Sequence, residues 1–293
     1  MSVRSAGIAE TVDRIERADG LDPIVTAARR AVRAALRPTA LRDALHGVRL
    51  GHPVHPVLTD VPIGSWSAAA ILDAVPGTGN AAALLITVGC VGYLPTALAG
   101  WADWAELHDD QQRVGLVHAL VAASAFGCYV ASLSSRRAGN TVRGKAWSYL
   151  GFALVNSAGY LGGHLAYRQA AGASRVESIP RTFPAGWHPI GDLDDLPDGG
   201  LVRRTVAGTD LVVVRRGRHV NALADTCSHL GTSLARGAFA AIDGQGCVRC
   251  PAHGSTFRLS DGAVVHGPAT APAPRFDVRI VRGEVQIMLS GAR

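Results

Sequence analysis

Two short stretches near the C-terminus carry the residues with the most chemistry in them. They are Cys227-Ser228-His229 and Cys250-Pro251-Ala252-His253, each offering one thiolate and one imidazole. Two sulfur and two nitrogen donors suit two kinds of centre. In a binuclear iron–sulfur cluster, two thiolates can hold one iron while two imidazoles replace thiolates on the other, which lowers the negative charge and raises the reduction potential. Alternatively, all four donors can surround a tetrahedral zinc ion. The flanks separate the two readings. Leu230-Gly231 follows the first pair, Gly254-Ser255-Thr256-Phe257 follows the second, and Asp261-Gly262 and Gly267-Pro268-Ala269 come after. Zinc sites rarely need such surroundings.

With these flanks, residues 183–290 resemble the ferredoxin-type Rieske [2Fe-2S] family, an all-β fold. The resemblance implies that Cys227 and Cys250 hold the inner iron and His229 and His253 the outer one, with Ser255 donating a hydrogen bond to the cluster. It also implies that Asp261-Gly262 forms a turn and Gly267-Pro268-Ala269 a shielding proline loop. High-potential relatives carry a disulfide between the two loops; Thr232 and Ala252 stand at those places here, so none is expected. Residues 230–249 separate the motifs by twenty positions, a few more than such relatives usually show, and an enlarged hairpin with its tip at Gly244-Gln245-Gly246 would absorb the excess. Cys247 is then a strand residue of that hairpin, not a fifth ligand.

The chain has 293 residues, so this module leaves most of it unexplained. Charged residues make up only 18%, and mean hydropathy is positive. Four stretches, about 57–76, 81–101, 114–133 and 146–167, reach the roughly 20 residues needed to cross about 30 Å of hydrocarbon. The expected architecture is therefore multidomain, a four-helix transmembrane bundle followed by the all-β Rieske domain. Residues 1–50 form a basic amphipathic helical segment, 51–168 the membrane domain, and 169–182 a linker. In the first segment Ile24, Val25, Ala28, Val32 and Leu36 alternate with Arg29, Arg30, Arg33 and Arg37, a pattern suited to a membrane-surface helix or to one packed on the Rieske domain. As a flexible coil, the linker would span roughly 20 Å. Asp60 and Asp73 fall inside the first span, where a carboxylate needs a partner or a function; alternatively, Asp60 caps a helix that starts before Val61-Pro62.

A net charge of +6 does not point to nucleic acid, because the basic residues flank membrane spans and no aromatic-rich basic stretch offers a stacking platform. Cys90 and Cys128 lie within spans and read as small core residues. Arg37, Arg42, Arg49, Arg113, Arg168 and Arg175 on one side outnumber Arg136, Arg137, Arg143 and Lys145 on the other. Both termini and the Rieske domain are thus expected in the cytoplasm, with the chain multi-pass in the cell inner membrane.

An even number of spans gathers the histidines on one face. His52, His55 and Asp60 open the first helix, Trp101, Asp103 and Trp104 end the second, His118 lies in the third, and His164 and Tyr167 close the fourth. His52-Pro53-Val54-His55-Pro56, Gly100-Trp101-Ala102-Asp103-Trp104 and Gly162-Gly163-His164 make residues 48–168 resemble a bacterial family of four-helix membrane domains of unknown function. Two neutral imidazoles on facing helices can clamp a haem iron, and Gly159 and Gly163 allow close helix approach. His118 with His164, or with His55 as the alternate, is the expected pair for haem b. A quinone using His and Asp as proton partners is the second reading, and ordinary hydrogen bonding to helix ends the third.

The functional expectation is a membrane-anchored Rieske protein passing single electrons between its cluster and a redox partner protein or quinone. The alternatives are the Rieske component of a membrane oxygenase, with iron on His118, His164 and Asp103 or Asp60, and a zinc-stabilised scaffold without redox activity. Phe257 stands where high-potential relatives have a tyrosine hydroxyl to donate to the cluster, so the midpoint is expected in the lower part of the Rieske range of about −150 to +300 mV. A redox titration near the top of that range would refute the inference.

Overall fold

A computed structural model describes residues 7–291, which fall into two compact units. The first comprises the chain through Arg37 together with Val54–Gly172, and is helical. Helices α1 (Ile8–Glu16) and α2 (Asp22–Ala35) precede α3 (Thr39–His46), which belongs to the other unit. Then come α4 (Val54–Ala74), α5 (Gly79–Trp104), α6 (Asp109–Arg137) and α7 (Thr141–Gly163), the last ending in a single π-helical turn at His164–Arg168. Connections this short force neighbouring helices to run antiparallel. Gly77 and Gly139 take positive φ in two of them, and Asn140 caps α7 by accepting the Arg143 N–H at 3.0 Å.

The four long helices occupy the stretches expected to span a membrane, and two of them, α5 and α6, are long and apolar enough by composition to do so. Their mutual core is Trp66, Ile86, Tyr129 and Val155 with small alanines. Trp66 and Tyr129 stack at 4.3 Å between ring centroids. Each needs a glycine on the neighbouring helix: a Cβ at Gly89 would lie 2.3 Å from the Trp66 indole nitrogen, and one at Gly151 would lie 3.0 Å from the Tyr129 ring.

The expected helix start near Val61-Pro62 is corrected. Helix α4 begins at Val54 and runs through Pro62. Proline lacks the N–H that would bond the Leu58 carbonyl, and the Thr96 hydroxyl of α5 donates to that carbonyl instead, at 2.9 Å. Asp60 is exposed. Asp73, in contrast, is fully buried and receives the Arg136 guanidinium at 2.6 and 2.8 Å, while Lys145 Nζ donates to its backbone carbonyl at 2.6 Å.

The amphipathic helix α2 also has a partner. Val25 is buried against Trp104, Ala105 and Leu116, and Arg33 bonds Glu106 at 2.8 Å. Arg113 reaches back to Asp22 and Asp19 at 2.7 and 2.8 Å. The apolar stripe of α2 therefore covers the α5–α6 corner of its own unit, because the acidic residues of that corner complement its arginines.

The second unit comprises Pro38–Pro53 and Ala173–Arg293. Residues expected in the linker are partly structured here: Val176 is buried, and the short helix α8 (Ile179–Thr182) packs Ile179 against the β core. Strands β1 (His188–Asp192), β2 (Leu201–Val206), β3 (Thr209–Arg216) and β4 (His219–Ala224) precede β5 (Ala238–Ile242), β6 (Gln245–Arg249), β7 (Thr256–Arg258) and β8 (Val264–His266). Strands β9 (Arg275–Val281) and β10 (Glu284–Leu289) close the domain. They make a six-stranded sheet in the order β1-β10-β9-β4-β3-β2 and a four-stranded sheet in the order β5-β6-β7-β8, antiparallel throughout.

Strand β3 shows the alternation that joins the layers. Leu211 and Val213 face one core with Phe276 and Ile287, and Val212 and Val214 face the other with Val248, Phe257 and Leu259. The long spacer between the motifs is the β5–β6 hairpin, turning at Asp243-Gly244 with both residues at positive φ, as a two-residue type I′ turn requires.

The Asp73–Arg136 pair yields a test. Arg136→Ala should destabilise the helical unit by about 3–5 kcal/mol, because it strands a buried carboxylate, and adding Asp73→Ala should restore most of that loss. Denaturant melts in detergent would check this; equal losses in the single and double variants would contradict it.

Candidate iron–sulfur site

The two motifs sit on loops built to one plan. In the first, the Cys227 N–H bonds the Thr232 carbonyl at 2.8 Å and the Gly231 N–H bonds the Cys227 carbonyl at 2.9 Å. In the second, the Cys250 N–H bonds the Ser255 carbonyl at 2.8 Å and the Gly254 N–H bonds the Cys250 carbonyl at 3.2 Å. Each loop turns on its glycine, Gly231 at φ 80° and Gly254 at φ 79°. A side chain there would be strained, which explains why a glycine stands four residues after each cysteine.

These loops bring the four donors together as two pairs. Cys227 and Cys250 are buried, at 1% and 3% exposure, and the two thiols perturb one another's acidity in opposite directions. His229 and His253 are half-buried, their rings edge to face with centroids 5.1 Å apart. The Cys250 thiol is pulled down to about 6, chiefly by the Cys227 thiol and further by the amides of Ala252 and His253 and the Thr232 hydroxyl, against the opposing effect of burial. The Cys227 thiol is pushed up by Cys250 and by burial, while the His229 and Leu230 amides point at its sulfur. Sulfurs that receive backbone N–H groups suit thiolates bound to iron. Among the described residues, no three His, Cys, Asp or Glu side chains gather as ligands of one ion.

A single segment ties both loops. The Ser228 hydroxyl donates to the Ala271 carbonyl at 2.6 Å, and the Ser255 hydroxyl accepts the Ala269 N–H at 2.9 Å, which leaves the Ser255 hydrogen to donate elsewhere. Gly262 closes the turn beneath: at φ 73°, a Cβ there would lie 2.0 Å from the Ala273 carbonyl. Cys247 lies in β6 and donates to the Gln245 carbonyl at 3.7 Å, and all five cysteines are free thiols.

Two anchors lie outside the motifs. Buried Asp225, two residues before Cys227, accepts the Ala235 N–H at 2.5 Å and the Ser233 hydroxyl at 2.7 Å. Asp43 of α3 accepts the Gly267 N–H and meets His266 Nδ1, both at 2.9 Å, and so props the proline segment from 223 residues away in sequence. An acidic residue just before a Cys-X-His motif was a visible clue for Asp225; nothing marked Asp43.

In the helical unit, each histidine of the expected haem pairs has a hydrogen-bond partner. His164 Nε2 meets the Glu16 carboxylate at 2.6 Å, so helix α1 occupies that ring. His118 Nδ1 contacts the Ala158 carbonyl at 2.8 Å, and His55 Nδ1 the Thr96 carbonyl at 2.9 Å. His118, His164 and Asp60 or Asp103 do not gather as a triad among the described residues: His164 is bound to Glu16 and Asp60 is exposed.

Comparison with known proteins agrees with the geometry. Residues 186–279 match the Rieske [2Fe-2S] domain family, and residues 51–175 match a family described as predicted membrane protein (DUF2231). The anthranilate 1,2-dioxygenase ferredoxin subunit of Burkholderia cepacia is 32% identical over 103 residues, covering 35% of this chain and 92% of that protein. Cholesterol 7-desaturase nvd of Drosophila melanogaster is 31% identical over 102 residues, and there the match spans only 23% of the relative. Among solved structures, the ferredoxin of carbazole 1,9a-dioxygenase from Nocardioides aromaticivorans IC177 aligns over its whole length with 36% of this chain, at 27% identity and a TM-score of 0.33. The chain belongs to the Rieske [2Fe-2S] family through its C-terminal domain, joined to an N-terminal domain of the DUF2231 family.

Asp225→Ala would leave the partly buried Ala235 amide and Ser233 hydroxyl without their acceptor, at up to about 1–3 kcal/mol for each group. Cluster absorbance should then be lost at a lower temperature than in the parent protein, and an unchanged thermal bleaching curve would remove Asp225 from this role.

Proposed function

We propose that this protein is a membrane-anchored electron carrier that exchanges single electrons between a [2Fe-2S] cluster and a redox partner. The observation that carries the reading is the sorting of donors, with two thiols fully buried and two less buried imidazoles edge to face. Cys227 and Cys250 would hold one iron and His229 and His253 the other, with Ser255 as hydrogen-bond donor. When bound, the cluster supplies a one-electron couple whose potential follows from neutral imidazoles standing in for thiolates. The chain's own part is to fix the donors through the paired loops and to screen the thiolates from water.

Membrane anchoring is supported by the outward faces of the long helices. Ile71 on α4, Leu84 and Val91 on α5, Leu120 on α6 and Leu150 on α7 are all exposed, as expected of helices bathed in lipid. The arginine bias supports a multi-pass chain in the inner membrane with the Rieske domain on the cytoplasmic side. As a ferredoxin subunit of a dioxygenase is among its relatives, a terminal oxygenase is a reasonable class of partner protein. The histidines of the bundle are candidates for a second redox group, haem b or a quinone.

Metal and sulfide analysis of the purified full chain should find two irons and two labile sulfides, and the reduced protein should give a paramagnetic resonance signal of low average g value. His229→Cys should retain a cluster at a lower potential, because a charged thiolate replaces a neutral ligand. Zinc without sulfide would overturn the reading, and a raised potential would overturn the assignment of the outer iron.

A further inference from the structure

The helical unit is built twice. His55, Gly64, Trp66 and Asp73 of α4 recur as His118, Gly127, Tyr129 and Arg136 of α6, each sixty-three positions later. On the return helices, Gly89, Thr96 and Gly100 of α5 correspond to Gly151, Ala158 and Gly162 of α7, sixty-two positions later. The contacts repeat with the residues. Trp66 lies over Gly89 and Tyr129 over Gly151. His55 lies over Gly100 and bonds the carbonyl four residues before it, and His118 does the same with Gly162 and Ala158. Corresponding residues meet across the midline at two levels: Trp66 stacks on Tyr129, and Asp73 pairs with Arg136.

His55 and His118 are a further corresponding pair along the same two helices. Each lies eleven residues before its aromatic counterpart, three turns along the helix and only about 20° off the same stripe. They therefore sit on the two stripes that face one another at Trp66 and Tyr129. Beside the two rings the flanking helices carry small residues, Ala99 and Gly100 on α5 and Ala158 and Gly162 on α7.

A backbone carbonyl only accepts, so both Nδ1 atoms carry the proton, and each neutral ring keeps a bare lone pair on Nε2. Donation from one ring nitrogen to a carbonyl is how metal-binding histidines are oriented. Two imidazoles cannot hold a free ion alone, and no three ligating side chains gather among the described residues. A metal bound here must bring its other ligands with it, as a tetrapyrrole does. An oxidised quinone presents only acceptors and would meet two more acceptors at these nitrogens.

We infer that His55 and His118 are the axial ligands of one low-spin haem b on the midline of the helical unit. This rests on the proposal of a second redox group in the bundle and replaces His164 with His55 in the pair. The test uses the full chain, purified in mild detergent from cells supplied with haem. Pyridine-haemochrome absorbance should report about one haem b per chain with a low-spin ferric signal, and the Rieske signal should be present alongside. His55→Asn and His118→Asn keep an N–H for the carbonyl but lack the ligand nitrogen. Each should lose the low-spin signal while the Rieske signal persists, and His164→Asn should keep both. A wild-type chain with a full Rieske signal and no haem, with or without bound quinone, overturns the inference, as does haem retained by the His55→Asn/His118→Asn double variant. Haem present without a Rieske signal would strike the proposed electron carrier instead and leave this site standing.

Discussion

The iron–sulfur domain depends on one constraint applied twice: a cysteine whose N–H and carbonyl are both spent closing its own loop. That closure fixes the backbone from which each sulfur projects, and burial of both thiols keeps them inside the domain. The histidine two residues on in one loop, and three in the other, is then carried to the less buried rim. Everything else in the domain serves to hold the two loops at one spacing. The sheets meet beneath them through the two-faced strand β3, and the 267–271 segment fastens each loop with one hydroxyl contact.

The helical unit answers a different demand, which is that polar groups without access to water must find each other. The carbonyl freed by Pro62 takes the Thr96 hydroxyl, the buried Asp73 takes a guanidinium, and the imidazoles of His55 and His118 take carbonyls of the adjoining helix. These choices pin the register of α4 on α5 and of α6 on α7. A helix that slid by one residue along its partner would lose the bonds made to that partner.

Much of this was legible beforehand because the informative residues are few and local. The two Cys/His motifs lie within three or four residues, and the apolar stretches declare four long helices by length alone. What escaped was non-local. Nothing in Thr39–His46 says that it packs with strands rather than with the helices on either side of it. The attachment is made by Asp43, whose partners lie more than two hundred residues away. His164 looked like a ligand because its companion, Glu16, sits in a helix read as a surface element. The duplication was hidden by chemistry: tryptophan answers tyrosine and aspartate answers arginine, so identity is low where the geometry is the same.

That last substitution has a consequence for assembly. If a hairpin of the first type met a copy of itself across the midline, two buried carboxylates would face one another, and two of the second type would oppose two guanidiniums. Only unlike halves neutralise each other. The charges thus act as a key that allows one pairing, first half with second, and the short α5–α6 connection supplies that mate from the same chain, so an exchange of hairpins between neighbouring molecules gains nothing.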